Sequence, residues 1–333
     1  MEGDRLKKAL LTGVGAAAPT RILTNYDFEK MVDTSDEWIV TRTGIRERHV
    51  VEDGMVGTDL ALEASRQALR EAELSADELD LILLGTVTPD FIVPSSACIL
   101  QKKIGATKAA AMDVVAGCTG FIYGLATANA FIRSGMYENI LVIGVEVLSK
   151  LTDYKDRNTC VLFGDAAGAV VVQAAPPDEK RGILSAFLAA DGNLANLLHV
   201  PMGGTVDPLT PANFERRGQY IKMAGNEVFK SAVREMGEAA TLALEKAGCS
   251  PDELTLLIPH QANIRIIEAT AKRLGLPMEK VYVNIDRYGN TSSASVPLAL
   301  WEARREGKVK DGDLVLLVAF GAGFTWGSVL VRL

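Results

Sequence analysis

Residues Asp113 to Arg133 read DVVAGCTGFIYGLATANAFIR, and the rest of the chain is organised around how this stretch folds. Asp113-Val114-Val115 is short, apolar and β-branched, the mark of a strand. Ala116-Gly117-Cys118-Thr119-Gly120 follows, small residues that permit a tight turn and close approach of a ligand. From Phe121 the apolar residues Phe121, Ile122, Leu125, Ala126, Ala128 and Phe131 leave few polar positions, so their helix is expected to be buried on most sides. Cys118 then sits at a helix N-terminus, where unpaired N–H groups favour thiolate, the form that attacks carbonyl carbon. Taken alone, the same residue also reads as a small buried hydrophobe.

The chain of 333 residues is long enough for one large α/β unit or two domains. Its net charge of −7 and pI near 5.2 argue against nonspecific nucleic-acid binding. Cys98, Cys118, Cys160 and Cys249 show no metal-ligand spacing, and with three histidines in the whole chain no metal site is expected. The N-terminus MEGDRLKKALLTGVG lacks the layout of a secretory signal, and no run approaches ~18 apolar residues, the span of a bilayer. These features predict a cytoplasmic protein with free thiols and no membrane partner.

Lys8 to Val14, Leu79 to Thr86 and Ile140 to Val145 read as strands, and Asn25 to Met31, Thr58 to Glu73 and Ala97 to Ile104 as helices. The order recurs. Asp77-Glu78-Leu79 lines up with Asp252-Glu253-Leu254 at an offset of 175, and Ile140 to Gly144 with Leu314 to Val318 at 174. Two matches at nearly one shift imply two duplicated α/β halves, residues 1–175 and 176–333, parted near Ala174 to Lys180 (AAPPDEK). The offset carries Cys118 onto the neighbourhood of Ser293, so the second copy has no thiol there.

Leu254 to Ile258 forms a strand running into Pro259-His260-Gln261-Ala262-Asn263 and then a helix from Ile264 to Leu274. His260 thus falls outside the carboxyl end of a strand, where α/β folds bind ligands. Val281 to Ile285 is read as the next strand, leading to Asn290. Asn290 alone reads as a turn residue. The repeat, however, sets its turn opposite that of Cys118, so Cys118, His260 and Asn290 are expected to meet between the halves. Thiolate, imidazole and amide suffice for acyl transfer, the thiol carrying the acyl group and two donors stabilising an oxyanion.

Seven blocks now carry a specific resemblance: DTSDEWIVTRTGIRERH (Asp33 to His49), the cysteine segment, FGDAAGA (Phe163 to Ala169), MAGNEVFK (Met223 to Lys230), PHQAN (Pro259 to Asn263), YGNTSSASVP (Tyr288 to Pro297) and FGAGFTWGSVLVR (Phe320 to Arg332). In this order, over nearly the whole chain, they resemble β-ketoacyl-[acyl-carrier-protein] synthase III, the initiating condensing enzyme of type II fatty-acid synthesis. The resemblance implies the thiolase fold, five layers αβαβα from two duplicated halves, and a homodimer. It implies that an acyl-CoA, commonly acetyl-CoA, acylates Cys118. Malonyl-acyl carrier protein then loses carbon dioxide and its carbanion attacks the thioester. No cofactor is implied, acyl-CoA being a substrate.

Carried over by motif position, neutral His260 and Asn290 bind the malonyl thioester carbonyl, and the backbone N–H groups of Cys118 and Ala322 hold the acyl oxyanion. Trp38 and Arg157 resemble the pair enclosing the coenzyme A adenine, Arg42 the residue near its phosphates, and Gly225, Phe229 and Asn263 residues along the pantetheine tunnel. Lys230, Arg265, Lys272 and Arg273 match a patch that docks acidic carrier protein, although such a helix also reads as a solvated face. Val93 stands where short-chain members often have Phe, which implies a deeper primer pocket.

The order Cys, His, Asn also occurs in papain-like peptidases, but their local CGSC[WY] signature is missing. A thiolase would have a second cysteine near the C-terminus, whereas none follows Cys249. Plant-type polyketide synthases have a Gly-Phe-Gly-Pro-Gly loop in place of Phe320 to Gly327. A paralogue with another acyl-CoA or acceptor stays open; a non-catalytic carrier-protein scaffold would not need all three residues.

Overall fold

The computed structural model describes residues 6–333; the N-terminal reading above extends over residues 1–5, which lie outside them. Strands β1 (Lys8–Ala17), β2 (Leu81–Gly85), β3 (Ala110–Val114), β4 (Asn139–Val147) and β5 (Asp165–Ala175) form one sheet in the order β1-β5-β4-β2-β3. Strands β6 (Gly182–Ala190), β7 (Leu256–Pro259), β8 (Leu314–Gly321) and β9 (Thr325–Arg332) form a second in the order β7-β8-β9-β6. The two follow one plan. The pairs β1-β5 and β5-β4 are antiparallel and β4-β2 and β2-β3 parallel. Likewise β6-β9 and β9-β8 are antiparallel and β8-β7 parallel.

Helices α1 (Asp36–Thr43), α2 (Gly57–Glu71), α3 (Ser96–Ile104), α4 (Gly120–Arg133), α5 (Gly225–Ala247), α6 (Ile264–Leu274) and α7 (Ser295–Arg305) complete the layers. The central core joins Phe121, Ile122 and Leu125 of α4 and Val296 and Leu300 of α7 to buried residues of both sheets. That explains why α4 carries so few polar residues: it is covered from two sides. Apolar faces of α2 and α3 cover the outer face of the first sheet, and those of α5 and α6 the outer face of the second. The result is a five-layered αβαβα stack in which α4 and α7 occupy equivalent places.

Most elements fall where the sequence puts them. The segment Val281 to Ile285 does not. It meets the sheet through a single parallel bridge from Val281 to Leu257, and residues Ile285–Tyr288 form a short helix. Its β-branched composition is overridden by Asn284, whose N–H goes to Gln261 Oε1 (3.0 Å) and whose amide goes to Glu302 Oε2 (2.7 Å), turning the chain out of the sheet. No described helix is long and apolar enough to cross a membrane, and the described residues contain no group of three His, Cys, Asp or Glu placed to hold a metal ion.

Candidate active site

Cys118 occupies a single 3-10 turn, Gly117–Thr119, between β3 and α4. Gly117 has φ 55°, and a Cβ there would stand 2.7 Å from the amide nitrogen of Ala322. Only glycine lets the loop after β8 come this close. As a consequence the Ala322 N–H packs against the Cys118 turn, and it and the Cys118 N–H both favour the thiolate form of the sulfur. The loop's left-handed angle falls on Gly323 (φ 142°) and not on Ala322, so a side chain at 322 brings no strain.

Burial acts against the thiolate that the position of Cys118 favours. Burial pushes the Cys118 thiol up to about 12; the Ser292 hydroxyl and the two N–H groups pull the other way, and the nearby Glu146 carboxylate adds to the rise. The helix end is weakened here because Cys118 precedes α4 by two residues, and the sulfur shares its cavity with buried His260 and Asn290.

His260 follows β7, its backbone N–H bonded to Val318 O at 2.8 Å. It is 2% exposed, and burial holds its imidazole down to about 3, hence neutral. Its Nδ1 lies 2.7 Å from Ser295 Oγ. The Gln261 N–H donates to that same oxygen at 3.4 Å; with the serine hydrogen given to Nδ1, the imidazole proton stands on Nε2. Gln261 braces the turn, its Nε2 donating to Pro259 O (2.8 Å) and Tyr282 O (3.1 Å).

Asn290 is clamped by its backbone, N–H to Leu162 O at 2.8 Å and O to the Gly164 N–H at 3.0 Å. The Ser292 N–H donates to Asn290 Oδ1 at 2.9 Å, so the amide's two hydrogens are free to turn elsewhere. Buried Arg48 braces the clamp from behind, its Nε donating to Val161 O at 2.9 Å.

One cavity of about 510 Å³ brings the three residues together. Cys118, His260 and Asn290 line it along with Phe320 and Gly321, and Trp38, Arg42, Gly225, Phe229, Asn263 and Arg265 line it as well. His260 and Asn290 are buried while Arg42, Gly225 and Arg265 are exposed, so the cavity runs from surface to core. Asn263 is partly committed already: its Oδ1 caps α6 and its Nδ2 donates to Arg42 O at 2.9 Å.

Trp38 is flanked by two guanidinium groups, Arg42 at 4.9 Å and Arg157 at 5.1 Å from the ring centre, and Arg157 also pairs with Asp33 at 3.3 Å. Arg157 does not line the cavity. A base stacked on both partners needs about 7 Å between them, two van der Waals gaps, so Arg157 must swing away to admit one.

Lys230, Arg265, Lys272 and Arg273 are all exposed, on α5 and α6, and of these Arg265 lines the cavity. Lys230 is paired with Glu227 at 3.1 Å and the Arg265 guanidinium lies over Phe229 at 5.0 Å. Val93 is 82% exposed and does not line the cavity of its own chain. The stretch Thr205 to Arg217 does not line it either; it is largely exposed and anchored by Arg217 on Asp153.

Four residues at the site escaped the reading of the sequence: Glu146, Gln261, Ser292 and Ser295. The signals were present. Glu146 is the lone charge in the apolar run ILVIGVEV, and Ser292 and Ser295 belong to the serine-rich stretch after Asn290.

Comparison with known proteins agrees with this geometry. The family described as 3-oxoacyl-[acyl-carrier-protein (ACP)] synthase III matches residues 112–192, and its C-terminal counterpart residues 244–333. A β-ketoacyl-[acyl-carrier-protein] synthase III of Caldanaerobacter subterraneus is 53% identical over 97% of both chains. The crystal structure of the Aquifex aeolicus 3-oxoacyl-[acyl-carrier-protein] synthase III superposes with a TM-score of 0.90 at 51% identity, covering 98% of this chain and 100% of that one. The priming β-ketosynthase of the R1128 polyketide pathway gives 0.91 at 33% identity, covering 100% and 98%. With its thiolase fold, its duplicated sheets and these relatives, the chain belongs to the 3-oxoacyl-[acyl-carrier-protein] synthase III family.

Proposed function

We propose that this chain, an initiating condensing enzyme of type II fatty-acid synthesis by family, takes an acyl group from acyl-CoA, acetyl-CoA first, onto Cys118 and passes it to malonyl-acyl carrier protein. The observation that carries this reading is the convergence of Cys118, His260 and Asn290 on one cavity, with two N–H groups favouring the thiolate. Cys118 Sγ attacks the thioester carbonyl and coenzyme A leaves as its thiol. The N–H groups of Cys118 and Ala322 receive the oxyanion that forms between.

Malonyl-acyl carrier protein then binds its thioester carbonyl to His260 Nε2–H and Asn290 Nδ2. As the carboxylate departs as carbon dioxide, charge gathers on that oxygen, where both donors act most strongly. A neutral imidazole can do this without giving up its proton. The carbanion attacks the acyl carbonyl, the bond to Cys118 breaks, and the β-ketoacyl product leaves on the carrier protein.

Coenzyme A enters past Trp38, Arg42, Gly225, Phe229 and Asn263, with Arg157 closing on the adenine after it swings. The exposed cations Lys230, Arg265, Lys272 and Arg273 receive the acidic carrier protein. The halves 1–175 and 176–333 act as one unit, a reading supported by their common strand order. The working form is a cytoplasmic homodimer. Its support is β3, an edge strand with exposed Ala110 and Met112, next to exposed Val115, Phe91, Ile92 and Val93. Val93 shapes a primer pocket only if a second copy brings it there.

Mixing the protein with acetyl-CoA and malonyl-acyl carrier protein should yield acetoacetyl-acyl carrier protein with release of carbon dioxide. Carbon dioxide without that product, or no reaction with any acyl-CoA, would overturn the reading.

A further inference from the structure

Glu146 stands in the middle layer of the first sheet, on β4, with no exposure to solvent. Neighbouring strand positions are apolar, so packing alone gives no reason for an acid here. Its Oε1 accepts hydrogen bonds from the hydroxyls of Ser292 and Ser293, each at 3.0 Å. Its Oε2 accepts from Thr88 (2.7 Å), Thr86 (3.2 Å) and the Val87 N–H (3.1 Å). Each of these donors is neutral. The approach is built in at Gly144, where a Cβ would stand 2.1 Å from Ser293 O, so only glycine lets the serine loop lie against β4.

The Ser292 turn packs against the Cys118 turn, and the Ser292 hydroxyl is among the groups that favour the Cys118 thiolate. A hydroxyl has one hydrogen. Turned to Glu146, that hydrogen leaves the serine oxygen to accept from the thiol; turned to the sulfur, it stabilises the thiolate, so Ser292 stands between sulfur and carboxylate as a group that can pass a proton on. The backbone of Ser292 is held for this purpose in the left-handed region, φ 49°. Other titratable groups nearby are engaged elsewhere: Asp165, on the adjacent strand, binds the Val51 N–H and Ser149, and His260 Nδ1 binds Ser295.

We propose that Glu146 accepts the Cys118 thiol proton during acylation, through the Ser292 hydroxyl. As Sγ bonds to the acyl carbon, its proton passes to Ser292 Oγ and the serine's own proton passes to Glu146 Oε1. The bond from the acyl carbon to the coenzyme A sulfur breaks, and the proton held on Glu146 returns through Ser292 to that departing sulfur. The buried pair keeps one negative charge throughout, so no second anion forms beside the first. Burial also raises the Glu146 carboxyl to about 7, which makes it a stronger base than an exposed carboxylate. This inference rests on the reading of Cys118 as the acylated nucleophile.

The experiment is single-turnover acylation by acetyl-CoA in the unmodified protein and in Glu146→Gln, Ser292→Ala and Thr241→Ala, across pH, with malonyl decarboxylation measured alongside. Thr241 lies on α5, its hydroxyl donates to Gly237 O at 2.9 Å, and it does not line the cavity. Expected are losses of about 10²–10⁴-fold in acylation for Glu146→Gln and Ser292→Ala, loss of the pH inflection in Glu146→Gln, and a much smaller fall in decarboxylation. Thr241→Ala should stay within about threefold. Acylation within about threefold of the unmodified protein in either path variant, or equal losses in all three variants and both reactions, overturns the relay. Should Glu146→Gln fail to fold, Ser292→Ala decides alone. An unmodified protein that is never acylated sinks the functional reading itself, whereas normal acylation with unslowed variants sinks only the relay.

Discussion

The Ser292 backbone N–H donates to Asn290 Oδ1 at 2.9 Å, and this bond sets which end of the Asn290 amide is free to donate. In Asn290→Asp, one carboxylate oxygen would keep that bond while the other faced the reacting oxygen with negative charge. Decarboxylation should fall by more than the ~10²–10³-fold expected from loss of one donor, and Asn290→Asp should be worse than Asn290→Ala, with acylation largely spared in both. Carbon dioxide release from malonyl-acyl carrier protein measures it. Equal rates in the two variants would show that Asn290 does not donate to the enolate.

Ser295 Oγ lies 2.7 Å from His260 Nδ1, and donation along this bond keeps the imidazole proton on Nε2. Removing that hydroxyl in Ser295→Ala frees the imidazole to hold its proton on the wrong nitrogen. Decarboxylation should drop by roughly tenfold, the worth of one buried hydrogen bond, while the rate of acylation holds. A fall confined to acylation would contradict the assignment.

How much of this could be read in advance follows from where each signal lives. Small residues around Cys118, the Pro-His-Gln-Ala-Asn turn and the doubled strand order all act locally, and local chemistry dictates turns and strands. The upward pull of burial on the thiol was not legible, because part of that burial comes from the loop after β8, some 200 residues away along the chain (Cys118 against Ala322). The role of Glu146 was hidden for the same reason, its partners Thr86 and Ser292 coming from opposite halves. Val281 to Ile285 misled because propensity was outbid by the tertiary hydrogen bonds of Asn284.

Two buried groups drive stability in opposite directions with pH. Burial moves His260 from 6.5 down to about 3, so between those values the unfolded chain binds more protons and stability rises with pH. Burial moves Glu146 from 4.5 up to about 7; its contribution is fully present below 4.5 and is lost as pH rises through 7. In the shared window, 4.5 to 6.5, the slopes oppose, each at most about 1.4 kcal/mol per pH unit. Relative to the unmodified chain, Glu146→Gln should therefore gain unfolding free energy as pH rises across this window. Urea melts at successive pH values read it, and a flat or falling difference would contradict the assignment.

Two cations flank the Trp38 ring, and the proposed function has it stack on the adenine. Trp38→Ala should raise KM for acetyl-CoA about tenfold, the scale of a lost cation-flanked stack, and leave KM for an acyl-pantetheine unchanged. Similar increases for both donors would place Trp38 outside the nucleotide site.

Charge reversal tests the carrier-protein surface. Arg273→Glu with Lys272→Glu should lower kcat/KM for malonyl-acyl carrier protein at low salt, with the deficit shrinking as salt rises, and leave malonyl-CoA turnover alone. Insensitivity to salt would remove these residues from the docking face.

The central claim is that the sulfur of Cys118 carries the acyl group, and peptide mass spectrometry after mixing with acetyl-CoA tests it most directly. The account predicts an acetyl group on the peptide containing Cys118, discharged on adding malonyl-acyl carrier protein and missing in Cys118→Ala. Labelling that persists in Cys118→Ala, or that maps to Cys98, Cys160 or Cys249, would contradict it.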